Sequence, residues 1–331
     1  MSTISSSLRP RTLWIGKKRT KSILVIFAVG TACGLYISTF MNASRQPFGK
    51  SVKFKYEGRS LLTMFSTWPT PEYPEKYDVR NNTVANWIKF KEFFTPIYFT
   101  NDENLKHAVE KGGWKTLPVT KVGSGNDLPV FKNLFLDAMK HYDSWFYGFA
   151  SGDIMFTEGL IKTLLALIRI PEFRDKVILL VGQRTNVDNV TMEEATNFET
   201  LKKISKDRGQ LWTPLAEDYF ITSKNFPWGE LLDVVSGRCG MDNFIVMESL
   251  DRGYIVIETT QTILAVHHTS VGGNNENLRK PNANYNMDLI KKFYGRKPYN
   301  YSKGRTICAN YFSEFLNKHT IIFSKKSKSV C

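Results

Sequence analysis

The fold class this sequence predicts is α/β, a mixed and mainly parallel sheet flanked by helices in a Rossmann-like layout. Three observations carry it. Apolar runs of strand length alternate with amphipathic spans of helix length, the pattern of βαβ units. Four consecutive runs end on polar groups (Ser66-Thr67-Trp68, Asn101-Asp102, Ser151-Gly152-Asp153 and Gln183-Arg184-Thr185-Asn186), and in such sheets ligands gather beyond the carboxyl ends of the strands. Neither GxGxxG after the first strand nor GxxxxGKS/T occurs, so a standard dinucleotide-binding fold and a P-loop are both unsupported.

Taken in order, SLLTMFSTW (60–68) reads as a buried strand that runs into a Pro-rich loop. NTVANWIKFKEFF (82–94) has apolar residues near helical spacing, and TPIYFTND (95–102) is strand-like. ENLKHAVEKGG (103–113) is a helix stopped by two glycines, and WKTLPVT (114–120) is a short strand. DLPVFKNLFLDAMKHY (127–142) is strongly amphipathic, SWFYGFAS (144–151) is a strand, and TEGLIKTLLALIRI (157–170) is a helix with Thr157 placed to cap it. KVILLVGQRTN (176–186) reads as one buried strand and 191–209 as a polar, exposed helix. EDYFITS (217–223) is a short strand, a loop leads to a helix from about Met241, and 254–270 holds one or two strands ending on His267-His268. Residues 271–286 are a Gly/Asn-rich loop.

Charge bounds the partners. Of the net +14, residues 1–22 carry six cations and no acid, and 318–331 carry four cations and no acid, which leaves +4 between them. Basicity at the two ends describes tails rather than a groove, so no nucleic-acid partner is expected. Residues 22–44 are uncharged, and their most apolar part, 23–40, would span about 27 Å as a helix, close to a thin secretory-pathway bilayer. Six preceding cations place residues 1–22 in the cytosol and the chain beyond 45 in the lumen. A cleaved signal peptide is the other reading, although the leader before the apolar stretch is long for one. The expected organisation is a basic tail (1–22), a transmembrane signal anchor (23–40), a stem (41–59), a lumenal domain (60–317) and a basic C-terminal tail (318–331) of a type II Golgi or ER protein. Sequons begin at Asn42, Asn81, Asn189 and Asn300. Cys33 lies in the apolar stretch and Cys331 is the last residue, so Cys239 and Cys308 either pair in an oxidising lumen or stand as buried thiols.

In WFYGFASGDIMFTEGL (145–160) an apolar strand stops at Ser-Gly-Asp. Asp153 is either a carboxylate facing a pocket at the strand's end or a cap for the helix that follows. Strand alternation in ILAVHHT puts His267 and His268 on opposite faces, so at most one serves a site; His267 is favoured because it shares its face with Ala265 and Thr269. In GRCGMDN, a loop carrying Gly237, Arg238 and Gly240 leads to Asp242 just inside a helix. There it is either a base for an incoming hydroxyl or a first-turn acid favoured by the helix dipole.

With its tail, anchor, stem and βαβ domain the chain resembles the Golgi glycosyltransferases. WFYGFASGDIMFTEGL resembles the aspartate-bearing segment of the GT-A (nucleotide-diphospho-sugar transferase) fold. LLVGQRTNVD, AEDYFITS, VVSGRCGMDNFIVMES and ILAVHHT follow in the order of a branch of that superfamily, so the resemblance spans about residues 60–275. It implies transfer of a sugar from a nucleotide-diphosphate sugar, with UDP favoured, to a glycan or glycoprotein acceptor. It also implies a divalent metal, Mn2+ rather than Mg2+, on Asp153 and His267. Gly152 would admit the diphosphate close to the backbone, and Arg184 and Arg238 would face phosphate oxygens or the acceptor side. By position, Ser66, Thr67, Asn101 and Asp102 match the strand ends that hold the nucleotide, and Asp218 and Trp228 the acceptor side. The usual motif carries two acids one residue apart, and here the first is Ser151. That departure keeps a second reading open, a GT-A-like domain that binds glycans or a partner without turnover. A hydrolase has no GxSxG and no close carboxylate pair in its favour.

Overall fold

The stretch Leu61–Ser66 is wholly buried, as a central strand covered by helices on both faces must be. It belongs to a structure, a computed structural model, that describes residues 59–67, 74–123, 128–270, 279–295, 301–327 and 331. The anchor expected at 23–40 and nearly all of the stem lie outside the described residues; among the described residues no helix is long and apolar enough to cross a membrane. The elements are β1 (Ser60–Thr67), α1 (Pro74–Trp87), β2 (Phe94–Phe99), α2 (Glu103–Lys111), β3 (Lys115–Leu117), β4 (Val122–Gly123), β5 (Leu128–Pro129), α3 (Phe131–His141), β6 (Ser144–Ala150), β7 (Ile154–Phe156), α4 (Gly159–Ile168) and β8 (Ile178–Val181). They continue with β9 (Arg184–Asp188), α5 (Met192–Thr196), α6 (Phe198–Asp207), β10 (Gln210–Leu211), β11 (Tyr219–Ser223), α7 (Met241–Asp251), β12 (Ile255–Glu258), β13 (Ala265–Thr269), α8 (Tyr285–Tyr294), β14 (Tyr311–Asn317) and β15 (Thr320–Lys325).

Nine strands form the main sheet in the order β15-β14-β12-β8-β11-β6-β1-β2-β3. Neighbours pair in parallel except β11, which runs against both β6 and β8, and β15, which runs against β14. This is the α/β layout the sequence predicts, mainly parallel with a reversed strand inside. One face packs around the stacked Trp87 and Trp114, 4.7 Å apart, and the other around Phe65, Phe131, Phe135 and Trp228. A second sheet, β10-β9-β13-β7, sits beside it with its own apolar cluster of Met155, Val187, Leu201 and Val266.

Several boundaries differ from the sequence reading for physical reasons. α1 starts eight residues early, at Pro74, a favoured first helical position; in that added stretch the buried positions are Lys76, Val79 and Arg80, so a single apolar residue is too few to show a period. The run 176–186 is two strands in different sheets, parted at Gly182, where a Cβ would collide with the Tyr219 hydroxyl. The helix over 191–209 is two, because the Asn197 side chain accepts from the Glu199 and Thr200 amides and begins α6 afresh. Thr157 is not the cap of α4: the N-cap is Glu158, with no side-chain cap bond.

The segment read as a basic tail from 318 contains β15, with Ile321 buried at the sheet edge. The cysteine pairing also differs: Cys308 bonds to Cys331, and Cys239 is free. The bridge closes a loop over a sequence separation of 23, which in the chain-entropy account contributes about 3 kcal/mol. Cys331→Ser is therefore expected to lower unfolding free energy by about 3 kcal/mol, read as a lower urea midpoint that reductant no longer changes.

Candidate functional site

At the end of β6 the chain does not enter a helix. Ser151-Gly152-Asp153 make a turn closed by a hydrogen bond from the Ile154 amide to the Ser151 carbonyl (3.1 Å), and the chain crosses into the second sheet as β7. β7 pairs with β13, Ile154 opposite His267, and β13 pairs with β9, His267 opposite Asn186. The His268 amide donates to the Asp153 carbonyl at 3.0 Å and fixes the turn. The Asp153 side chain meets the histidine rather than capping anything: Oδ2 lies 3.2 Å from His267 Nε2, and Oδ1 is buried with no hydrogen-bond partner. Burial pushes this carboxyl up, but His267 and then Arg184 outweigh it and hold it below the usual range, so it is a carboxylate. His268 turns to the opposite face, where Nε2 accepts from the Val190 amide at 3.3 Å and Nδ1 lies 3.4 Å from Asn82. Burial pushes His268 down in pKa, so it sits there neutral.

The reversed strand completes the site. Because β11 runs against its neighbours, its amino end lies on the rim where β6 and β8 have their carboxyl ends. The Ser151 amide donates to the Asp218 carbonyl at 2.9 Å, and Gln183 bridges Glu217. Arg184 Nη1 donates to Asp218 Oδ2 at 2.6 Å and Arg184 Nε to Asn186 Oδ1 at 3.0 Å, and Ser151 Oγ donates to Asp218 Oδ1 at 3.3 Å. The chain thus runs Asn186–Arg184–Asp218–Ser151, two residues from Asp153. The amide of Asn186, Nδ2, is buried and has no hydrogen-bond partner among the described residues. Arg184 and Asp218 have side chains only 7% and 17% exposed, so the pair is a buried one. Arg184→Ala is expected to cost 3–5 kcal/mol by stranding Asp218, measured by chemical denaturation, and the double change with Asp218→Ala to cost less than the sum.

Asp242 stands in the first turn of α7, whose N-cap Gly240 has φ +83° and no room for a side chain beside Met287 and Tyr301. Burial raises the Asp242 carboxyl to about 7, the Asp218 charge adds to this, and backbone amides oppose it. Glu217, 3% exposed, is pushed well above the carboxylate range by burial and by Asp242 and Asp218. Its Oε2 accepts from Asn243 Nδ2 at 3.3 Å and its Oε1 is buried without a partner. Three carboxyl groups and Arg184 thus share the rim with Asp153 and His267. A carboxylate with one buried, unbonded oxygen beside an imidazole is a fitting donor pair for a divalent cation. Among the described residues no set of three His, Cys, Asp or Glu side chains converges on one point.

The other expected residues fall in different places. Ser66 Oγ, at the end of β1, is fully buried with no hydrogen-bond partner among the described residues. Thr67 donates to the Phe99 carbonyl at 3.0 Å. Asn101 bridges to the Val119 backbone at 2.9 and 3.2 Å, and Asp102 caps α2 through the Asn104 and Leu105 amides, so these side chains are engaged with their own loops. Gly152 lies in the Asp153 turn. Arg238 is 9% exposed, with Nη1 on the Gly237 carbonyl and Nε buried without a partner. The acceptor-side reading of Trp228 is corrected: its ring is 1% exposed and stacked on Phe135 at 3.7 Å, with Nε1 bonded to Thr222 at 3.2 Å, so it is core and offers no face to a sugar. Sequence reasoning passed over Glu217 and Asn186, although Glu217 adjoins Asp218 and Asn186 closes one of the polar strand ends.

No protein-family model matches this chain, and no curated protein does. Among solved structures, a mannosyltransferase from Pyrobaculum calidifontis, in complex with GDP-Man and Mn2+, aligns over 85% of this chain and 77% of its own, at 12% identity and TM-score 0.40. Mycobacterium tuberculosis glucosyl-3-phosphoglycerate synthase aligns over 72% and 81%, at 9% identity and TM-score 0.38. Staphylococcus aureus TarS aligns over 38% of this chain, at 17% identity and TM-score 0.27, and the chain spans only 22% of its length. Likenesses this distant assign this chain no ligand and no activity.

Proposed function

We propose that the protein is a glycosyltransferase that moves a sugar from a nucleotide-diphosphate sugar, UDP-linked by preference, to a hydroxyl of a glycan or glycoprotein. The observation that carries this reading is the Asp153–His267 pair at the end of β6, with one buried carboxylate oxygen unbonded among the described residues. Asp153 and His267 would hold a divalent cation, Mn2+ favoured over Mg2+ by the imidazole, which when bound neutralises charge on the departing diphosphate. Ser66 offers a buried hydroxyl at the neighbouring strand end. Arg184 orients Asp218 and Asn186 rather than presenting itself whole to phosphate. Asp242, poised near neutrality, takes the proton of the attacking hydroxyl.

The lumenal, Golgi or ER setting rests on the cations ahead of residues 23–40 and gains support from the Cys308–Cys331 bond, which persists in oxidising compartments. A thermal-shift and turnover screen of UDP- and GDP-sugars, with and without Mn2+, tests the proposal. Metal-dependent stabilisation by one donor, followed by its hydrolysis or transfer, is expected. If no nucleotide-sugar raises the melting temperature with any divalent cation, the reading fails. Ser151, bonded to Asp218 where the usual motif has an acid, favours the non-catalytic alternative, and donor binding without any turnover would establish it.

A further inference from the structure

The four sequons are not equivalent in the fold. Those at Asn42 and Asn300 lie outside the described residues. In the Asn81 triplet the acceptor sits within α1 with Oδ1 held by Arg80 at 3.0 and 3.4 Å. Its Thr83 hydroxyl is buried and bonded to the Val79 carbonyl at 3.2 Å. Asn82 in the same triplet is 3% exposed and ties α1 to Val190 at 2.7 Å. A sugar on Nδ2 there would stand on a packed helix, on an amide pinned through Oδ1 by Arg80 and beside a buried Thr83 hydroxyl.

Asn81 is itself exposed, so Asn189 differs from it in setting rather than in exposure. Asn189 is exposed, in the short turn between β9 and α5, with φ +50°, a left-handed conformation that Asn tolerates better than most residues. Among the described residues its side chain makes no hydrogen bond. Asp188, Thr191, Met192 and Glu193 around it are exposed as well, and Met192, 46% exposed, is an apolar surface that a sugar ring would cover. The flanking Val190 is buried and anchored through its amide to His268 and its carbonyl to Asn82, so the turn holds the Asn189 side chain outward from a fixed base. Thr191 caps α5 through its hydroxyl, yet stays at the surface.

We infer that, of the two sequons whose Asn lies among the described residues, Asn189 rather than Asn81 is modified and carries an N-linked glycan on the outer rim of the second sheet. The inference rests on the lumenal placement proposed above. In the step, the bond from sugar C1 to the diphosphate of a lipid-diphosphate oligosaccharide breaks and a bond from C1 to Asn189 Nδ2 forms. The amide proton leaves with the lipid diphosphate. Three residues beyond Asn186, about 10 Å along the strand, the glycan stands clear of the site.

The test is expression of the full chain in a eukaryotic secretory pathway, with a separate sequon appended at the C-terminus as a topology control. Peptide-N-glycosidase treatment in heavy-oxygen water is expected to leave a labelled aspartate at 189. Asn189→Gln is expected to lose one electrophoretic mobility step and Asn81→Gln none. An unlabelled 189 peptide beside a modified control sequon overturns the inference and leaves the lumenal reading standing, as does a step lost by Asn81→Gln instead. An unmodified control sequon overturns both.

Discussion

Asp153→Ala is expected to lower donor turnover by at least about 100-fold and to abolish Mn2+-dependent stabilisation by the nucleotide-sugar. The reason is geometric. Asp153 presents a buried, unsatisfied carboxylate oxygen beside an imidazole at the end of β6, and alanine leaves His267, among the described residues, with the Thr269 hydroxyl at 3.5 Å. For a donor at a hundred times its Kd, the lost stabilisation is about 2.7 kcal/mol. Asp153→Asn separates charge from shape, since it preserves packing against His267 while removing the anion. Were that amide variant to keep both turnover and the metal-dependent shift, the cation would have to be held elsewhere.

Asp242→Asn is expected to reduce turnover by roughly 10²–10⁴ while raising stability at neutral pH. The two effects have one cause. Burial first, and the Asp218 charge second, raise this carboxyl to about 7, so the folded protein keeps a proton that the unfolded chain gives up near pH 4. A raised folded-state value for an acid means that stability falls as pH climbs through the window from about 4 to 7, by at most about 4 kcal/mol. The asparagine variant removes the Asp242 share of that slope, and urea midpoints across the window measure it. As the base must be ionised to act, kcat/KM of the wild type is expected to climb below pH 7 and level above it.

How much of this was legible follows the periodicities. Asp153 and His267 could be named because a strand's alternation of period two fixes faces and its end fixes an edge, and both rules survive without the partner strands. Glu217 could not, since nothing local in EDYFITS reveals that β11 runs backwards between β6 and β8 and so delivers its first residues to the rim that holds Asp153. α1 started early for a related reason. Its first turns bury Lys76 and Arg80 beside Val79, and further on Asn86 is buried on the Ala195 and Phe156 carbonyls at 2.8 and 3.0 Å; hydropathy is blind to burial of that kind. Trp228 misled in the other direction, because an aromatic ring reads the same whether it faces sugar or Phe135. The lysines that suggested a tail bracket Ile321, Ile322 and Phe323, a strand that needed β14 to be seen.

The clasp between Cys308 and Cys331 has a practical corollary. Thr306, two residues before it, donates its amide to the Pro214 carbonyl at 3.0 Å, close ahead of Glu217, so the covalent closure at the chain's end braces the loop that feeds acids to the rim. A preparation made in a reducing bacterial cytosol would lack that brace. An assay on such material is therefore to be paired with one on oxidised protein before silence is read as missing chemistry.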